Sequence, residues 1–218
     1  MIYLDNAAST AVHPEVVKEM MPYFDVQYGN PSSIHQFGRK AMNAIQKARK
    51  QVAALIGAEP DEITFTSGGT ESNNTVLYGI TKLYEITHVN FDLDHNHIIT
   101  SSIEHEAILK PCKKLEKIGL KITYLPVDEY GIVDPGNLAN SINPHTILVS
   151  IMFANNEVGT IQSIKEISEI CKKYNVPFHT DGVQAVGKVP INVQELGIDA
   201  LSISSHKING PKGIGALF

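Results

Sequence analysis

The chain has 218 residues, a formal net charge of -5 and a hydrophobic fraction of 43%. These values predict a globular protein with a sizeable core, and the acidic balance argues against a surface that binds nucleic acid non-specifically. The first residues lack a signal-peptide pattern and no apolar run is long enough to cross a bilayer, so we expect a cytoplasmic protein without a membrane partner.

The pattern of apolar residues, bounded by proline, glycine and capping residues, predicts helices alternating with strands. The predicted helices are one that starts at His13 and ends at Pro22, one over 38–56, one after the glycine turn at 68–69, one over about 107–118, a short one after Asp134, and one from a capping box at Ser163 to about Tyr174. The predicted strands cover 62–66, 97–101, 120–125, 146–152, 176–181, 199–204 and 214–218.

The order of these elements predicts an α/β fold with helices on both faces of a mostly parallel, seven-stranded mixed sheet. The last two strands are the exception. Only about nine residues separate Ser204 from Ile214, fewer than the dozen or so that a parallel crossover needs. We therefore expect the last strand to be antiparallel.

A lysine follows the strand over 199–204. Lys207 lies just past its carboxyl end, which is where open α/β sheets bind ligands. A lysine amine that is desolvated and close to other cations becomes a nucleophile able to form a Schiff base with an aldehyde. Because most loop lysines are only solvated, Lys207 alone does not decide the function.

A glycine turn joins the strand over 62–66 to the helix that follows. The turn, Ser67-Gly68-Gly69-Thr70, places backbone N–H groups and hydroxyls at the positive end of a helix, a typical phosphate site. It is not a nucleotide-binding loop, because neither glycine-rich nucleotide motif is present. An ordinary strand-to-helix turn remains the alternative.

Two other groups of residues are candidates for less specific roles. His95 and His97, with neighbouring aspartates, lie in a segment without clear periodicity, and solvated side chains are the more common interpretation than a metal site. We predict no metal. Cys112 and Cys171 lie on apolar helical stripes, are too few for a disulfide framework, and are predicted to be core residues.

Polar residues of complementary chemistry follow successive predicted strands. They are the glycine turn, His105, Asn156, Asp181 with Gln184, and His206 with Lys207. Together they match the needs of pyridoxal phosphate: a phosphate cradle, a lysine for the aldehyde, a carboxylate for the pyridine nitrogen, an imidazole for the ring face and amides for the phenolic oxygen.

Several longer motifs resemble one family. They are the segments 4–8, 29–33, 66–74, 155–159, 179–188 and 205–213. In these motifs the chain is similar to the cysteine desulfurases, which are class V members of the fold-type I pyridoxal-phosphate enzymes. The resemblance implies residues 15–218 as the cofactor-binding large domain, preceded by an N-terminal segment of residues 1–14.

The resemblance also implies individual roles. It implies that Lys207 binds the cofactor aldehyde, Asp181 faces the pyridinium nitrogen and His105 stacks on the ring. It places Gln184 and Asn156 on the ring or substrate side. The residues implied around the phosphate are Gly69, Thr70, Ser204 and His206.

The family takes sulfur from L-cysteine, leaving alanine, and passes it as a persulfide to iron–sulfur cluster assembly or thiolation partners, usually as a homodimer. Its small C-terminal domain, with the persulfide cysteine and a substrate-binding arginine, is expected to be absent from these residues. Cys112 and Cys171 do not match that cysteine. The alternatives are a selenocysteine lyase, another class V lyase or aminotransferase, and a non-catalytic scaffold.

Overall fold

The chain is built around a single seven-stranded sheet, and a computed structural model describes residues 2–87 and 96–218. The strands are β1 Thr64–Thr66, β2 His97–Ser101, β3 Lys121–Leu125, β4 Thr146–Ser150, β5 Phe178–Asp181, β6 Ala200–Ser204 and β7 Gly215–Leu217. Their spatial order is β1-β7-β6-β5-β4-β2-β3. Strands β2 to β6 pair in parallel, whereas β7 is antiparallel to both β6 and β1. The mixed sheet and its antiparallel last strand are confirmed.

Helices cover both faces of this sheet. They are α1 Pro14–Met20, α2 Pro22–Asp25, α3 Gln36–Ile56, α4 Gly69–Thr87, α5 Glu106–Lys117, α6 Pro135–Ser141, α7 Ile164–Lys173 and α8 Val193–Leu196. Residues of α4 and α5 form one apolar cluster with β2 and β4. Residues of α3, α6, α7 and α8 join the inward residues of β4, β5 and β6 in a second, larger cluster.

Local differences from the predicted elements have simple physical causes. Pro22 ends α1 but also opens α2, since the first position of a helix does not need a backbone N–H. Ser163 is the N-cap of α7, yet its side chain makes no capping hydrogen bond, so the predicted capping box is wrong. Residues Pro60–Glu62 form a 3-10 turn, and β1 is correspondingly shorter than expected. The four-residue α8 was too short to give a periodic signal.

The region before β2 was predicted to be a surface connection. Residues 88–95, including His95, lie outside the described part of the chain. His97 is buried, and its ring nitrogens lie 2.9 Å from Thr146 Oγ1 and 2.8 Å from Thr123 Oγ1. This histidine therefore joins three strands. Across residues 2–87 and 96–218, no cluster of histidine, cysteine and acidic side chains is arranged to hold a metal ion, and no helix could span a membrane.

Candidate active site

A cavity of about 270 Å³ opens at the carboxyl ends of the parallel strands. All of the residues predicted to form a site border it: Gly69, Thr70, His105, Asn156, Asp181, Gln184, Ser204, His206 and Lys207. Adjacent parallel strands β4, β5 and β6 all end at this edge, so residues far apart in sequence meet there. Ala8, Asn73, Ala107, Met152, Ala154 and Val183 complete the lining.

The amino end of α4 forms one wall of the cavity. Gly69 is the first helical residue, and a Cβ atom added to it would lie 2.5 Å from Val183 Cγ2 and 3.6 Å from Ser204 Cβ. A larger residue here would require the Val183 side chain to move, so Gly69 favours the close approach of the helix to Val183 and to Ser204 at the end of β6. The first N–H groups of a helix have no acceptor within it, and no described residue accepts a hydrogen bond from the N–H of Gly69 or Thr70. This wall is suited to an anion.

Asp181 provides a buried carboxylate at the end of β5. Its side chain is 5% exposed, and each oxygen accepts a hydrogen bond: Oδ1 from the N–H of Val183 at 3.0 Å and Oδ2 from Asn73 Nδ2 at 2.7 Å. Burial raises the pKa of Asp181 above its usual value, opposed by these two donors and by the nearby His105 and Lys207. A buried carboxylate facing a cavity is a partner for a cation.

Lys207 lies in the 3-10 turn Ser205–Lys207 that directly follows β6. Its amine donates hydrogen bonds to the carbonyl oxygens of Ala7 and Ala8, the latter at 3.0 Å. Burial, reinforced by the positive charge of Lys188, lowers the pKa of Lys207. A larger fraction of its amine is therefore neutral, and nucleophilic, than for a solvated lysine.

His105 and Gln184 are held in place by backbone contacts. His105 is the N-cap of α5, where Nδ1 accepts a hydrogen bond from the N–H of Ala107 at 3.1 Å. A neutral ring therefore carries its proton on Nε2. Gln184 donates from Nε2 to the carbonyl oxygen of Ala7 at 2.8 Å, which ties the start of the chain to the rim of the cavity.

Ser204 lies opposite the amino end of α4, and His206 borders the cavity from the turn after β6. Ser204 ends β6 and is 3% exposed. His206 Nδ1 lies 3.3 Å from Ser9 Oγ. Burial, together with the charges of Lys207 and Lys212, lowers the pKa of His206. These side chains add a hydroxyl and an imidazole to the donors of the helix terminus.

Two serines in or just after the glycine turn do not contribute to the anion site. Ser67 was expected to help bind phosphate, but it is exposed and does not line the cavity, and its backbone N–H donates to Glu71 Oε2 at 2.5 Å. Ser72 is buried and lies 2.8 Å from Thr66 Oγ1. The anion-binding part of the turn is therefore narrower than expected.

Sequence reasoning missed Asn73 and Glu104. Asn73 lies four positions after Gly69, so the helical repeat puts both on the face toward the sheet, a signal that was available. Glu104 is 5% exposed, and its Oε1 accepts hydrogen bonds from Ser101 Oγ at 2.6 Å and from the N–H of Met152 at 2.8 Å. Burial raises the pKa of Glu104 to about 8. No sequence pattern indicates that a glutamate in a loop is buried.

The chemistry of the cavity fits pyridoxal phosphate. It offers an anion site at the amino end of α4, a carboxylate for a cationic ring nitrogen and an amine for an aldehyde. The close approach of the helix at Gly69, and the N–H groups there without an acceptor among the described residues, are features of this chain that suit the phosphate group.

The whole chain is similar to known proteins. The profile of the family described as aminotransferase class-V matches residues 2–218. The chain is 54% identical to a protein named cysteine desulfurase IscS from Dictyoglomus turgidum, spanning 100% of this chain and 53% of that protein. It is 55% identical to the protein of the same name from Methanosarcina thermophila, spanning 52% of it. A solved structure titled "SspA in complex with cysteine" matches with a TM-score of 0.94 at 42% identity, over 61% of that chain.

The chain belongs to the class V aminotransferase family, whose members use pyridoxal phosphate. Within that family it resembles the cysteine desulfurases, and its sheet matches the large domain of their fold-type I structures. The chain spans about half the length of the curated relatives it matches.

Proposed function

We propose that this chain provides the cofactor-binding part of a cysteine desulfurase, which converts L-cysteine to L-alanine and passes the sulfur on as a persulfide. One observation carries the proposal. The amine of Lys207 and the buried carboxylate of Asp181 border the same cavity as the amino end of α4. The high identity to proteins named cysteine desulfurase supports this substrate over a generic amino acid.

Under this proposal, three walls of the cavity bind three parts of the cofactor. The N–H groups at Gly69 and Thr70, with Ser204 and His206, would hold the phosphate. The imidazole of His105 would contact the ring, and Asn156 and Gln184 would donate to the phenolic oxygen or to the substrate. Apolar neighbours such as Met152 and Ala154 reduce the access of water.

Asp181 and Lys207 are the residues positioned to hold or move protons. When bound, pyridoxal phosphate supplies an electrophilic aldehyde and a pyridinium ring that withdraws electrons from the substrate Cα. The Asp181 carboxylate would favour a proton on the ring nitrogen. The Lys207 amine would hold the cofactor at its aldehyde and is the base positioned to move a proton at the substrate Cα.

The overall reaction balances with one thiol as acceptor. L-cysteine and a thiol give L-alanine and a persulfide: the carbon–sulfur bond breaks, Cβ gains a hydrogen and a sulfur–sulfur bond forms. The attacking group must be an exposed thiolate. Cys112 and Cys171 are both buried, and burial raises the pKa of each thiol to about 12. Neither is suited to accept the sulfur.

The proposal extends to partners and organisation. We propose a homodimer, supported by large exposed apolar residues near the start of the chain: Phe24, Val26, Tyr28, Ile34 and Phe37. A sulfur acceptor or iron–sulfur scaffold protein would take the persulfide. The cytoplasm is the proposed location, where unpaired thiols persist. Residues 15–218 are proposed as the large domain and residues 1–14 as a segment laid across it.

Reconstitution with pyridoxal phosphate tests the proposal. The protein should retain the cofactor through dialysis, show the absorption band of a lysine-bound cofactor, and become permanently labelled on borohydride reduction. Peptide mapping should place the label on Lys207. Lys207→Ala should abolish the band, whereas Lys212→Ala, which changes an exposed lysine outside the cavity in the connection between β6 and β7, should keep it.

Substrate choice is tested with the loaded protein. L-cysteine should change the spectrum of the bound cofactor, and sulfide and alanine should appear in equal amounts when an external thiol such as dithiothreitol is added. A wild-type chain that retains no cofactor would overturn the proposal. A chain that retains it but processes L-selenocysteine and not L-cysteine would belong to the selenocysteine lyases.

A further inference from the structure

Asn73 has a position that the proposed function does not by itself require. It lies one turn into α4, is 1% exposed, and borders the cavity beside Asp181. Its Nδ2 donates to Asp181 Oδ2 at 2.7 Å. A hydrogen bond to a charged acceptor is stronger than one between neutral groups, so this contact contributes to where the carboxylate points and to which protonation state is favoured.

The two donors to Asp181 come from different elements. The N–H of Val183 belongs to the same strand end and holds Oδ1, whereas Asn73 reaches across from the helix to hold Oδ2. A single donor would leave the carboxyl group free to rotate about its Cβ–Cγ bond. With one donor on each oxygen, its plane is fixed relative to the amino end of α4.

The Asn73 side chain also lowers the stability of the fold, because one of its polar atoms is buried without a partner. Asn73 Oδ1 is buried and has no hydrogen-bond partner among the described residues. A buried polar atom without a partner destabilises a fold, and an apolar side chain of similar size would avoid the penalty. The amide is therefore better explained by what its N–H groups do for Asp181 than by stability.

Other charged groups around Asp181 act alongside this amide. His105 at the start of α5 and Lys207 after β6 favour its ionised form, while its burial opposes it. Glu104, in the loop before α5, is close enough to Asp181 for the two carboxyls to interact. His179 lies two positions earlier on β5 and is fully buried between Ser150 and Ser202. Among these neighbours, Asn73 is the one that hydrogen-bonds directly to Oδ2.

We propose that Asn73 is a positioning residue that holds the Asp181 carboxylate ionised and in one orientation toward the cavity. The proposal rests on the proposed function for its purpose, because an ionised Asp181 is what a protonated ring nitrogen requires. Its physical content, the effect of Asn73 on the Asp181 carboxyl group, does not depend on any cofactor.

The test is a carbon-13 NMR titration of cofactor-free protein labelled at aspartate Cγ. The Asp181 signal is assigned as the one missing from Asp181→Asn. In Asn73→Leu, which removes the donor, the titration midpoint of Asp181 should move to higher pH. The matched control is Asn74→Leu, because the Asn74 amide bonds to the Thr70 carbonyl oxygen on the same helix at 2.6 Å and should leave the midpoint unchanged.

A second variant covers the case in which Asn73→Leu does not fold. Asn73→Asp keeps the size and places a carboxyl group against Asp181, so the pair should share a proton and titrate in two separated steps. In Asn73→Leu, the loss of the charge-assisted hydrogen bond to Asp181 should weaken the binding of pyridoxal phosphate by about tenfold.

The outcomes separate this inference from the proposed function. An Asp181 midpoint that is the same or lower in Asn73→Leu, or a single unperturbed step in Asn73→Asp, would overturn the role of Asn73. A wild-type chain that binds no pyridoxal phosphate would overturn the proposed function, while the titration of the cofactor-free protein would still decide what Asn73 does to Asp181.

Discussion

The two faces of strands β4, β5 and β6 are both buried, but they differ in their share of polar side chains. On one face Val149, Phe178, Leu201 and Ile203 pack into the larger apolar cluster with α7 and its neighbours. On the other face, toward α4, the same strands present polar residues that are at most 5% exposed: Ser150, His179, Asp181, Ser202 and Ser204.

Within these three strands, one face mainly stabilises the fold and the other provides polar groups to the site. The apolar face removes large side chains from water, which is the main favourable term in folding. The polar face must pair its donors and acceptors to avoid a loss of stability. Buried side-chain oxygens without a hydrogen-bond partner among the described residues include Asn73 Oδ1, which borders the cavity, Thr100 Oγ1 on β2 and Thr180 Oγ1 on β5. We therefore expect substitutions on the apolar face to lower the free energy of unfolding, and substitutions on the polar face to change its pH dependence or the chemistry of the site.

The largest loss of stability is expected on the apolar face. Phe178 is fully buried, and Phe178→Ala should lower the free energy of unfolding by about 3–5 kcal/mol through lost burial and a new cavity. Urea denaturation measures this directly. The control is Phe37→Ala at an exposed position, which should cost less than about 1 kcal/mol in the monomer.

The polar face should respond to pH instead. Burial lowers the pKa of His179 to about 3 from an ordinary value of 6.5, so the unfolded chain takes up a proton on this histidine before the folded chain does. Stability is lost as pH falls through the interval between these values, by about 1.4 kcal/mol per pH unit. In His179→Gln that contribution disappears.

The measurement is urea denaturation of wild type and His179→Gln at several pH values from 7 to 4. The difference between the two curves isolates the histidine from other titrating groups. The exposed His13, changed to glutamine, serves as the control. Parallel pH dependence in wild type and His179→Gln would mean that the folded protein accommodates the imidazolium at this position.

A smaller change in stability is expected at Asp181, although its effect on chemistry is large. Asp181→Asn keeps the shape and removes a buried charge, so the free energy of unfolding should stay within about 1 kcal/mol of wild type. With cofactor bound, exchange of the Cα proton of L-alanine in D₂O should fall about 100-fold or more. Proton NMR follows the exchange. A variant that unfolds, with normal exchange in the folded remainder, would make Asp181 structural.

The smallest response is expected from the thiols. Cys112 and Cys171 are 0% and 1% exposed, and their raised pKa values keep them as thiols at pH 8. Iodoacetamide should leave both unmodified in the folded protein and modify both in urea, as mass spectrometry can show. Rapid alkylation of either in the folded state would reopen the possibility that it accepts sulfur.

The features that sequence predicted well are those with a local or repeating cause. Alternation and apolar runs gave the strands, and the short connection between Ser204 and Ile214 gave the direction of β7. Parallel strands end at one edge, so placing Asp181, Asn156 and Lys207 after strands was enough to predict that they border the same cavity.

The features that it missed depend on packing between distant elements. Asn73 and Glu104 belong to residue types that are normally exposed. Asn73 is buried where it contacts Asp181 at the end of β5, and Glu104 is buried where it contacts Ser101 at the end of β2 and Met152 after β4.

The prediction of a capping box at Ser163 was wrong for a related reason. The motif allows a hydrogen bond to the Ser163 side chain but does not enforce it, and the structure does not contain it. The extent of the phosphate site likewise depends on the conformation of the turn, in which the backbone N–H of Ser67 donates to Glu71.

The start of the chain and the turn after β6 can meet only late in synthesis. The contacts of Lys207 with Ala7 and Ala8 join residues 200 and 199 positions apart, and Asn209 donates to the hydroxyl of Thr10 across 199. At about 5–20 residues per second, a ribosome needs about 10–40 s to make that length of chain.

During that interval the first residues have no partner from the turn after β6. Strands β2 to β5 can pair while translation continues, but β1 has to wait as well, since its neighbour in the sheet is β7. The rim of the cavity is therefore assembled last, after the polypeptide has emerged through residue 217. A nascent chain halted before that point carries an unpaired strand edge and no closed cavity.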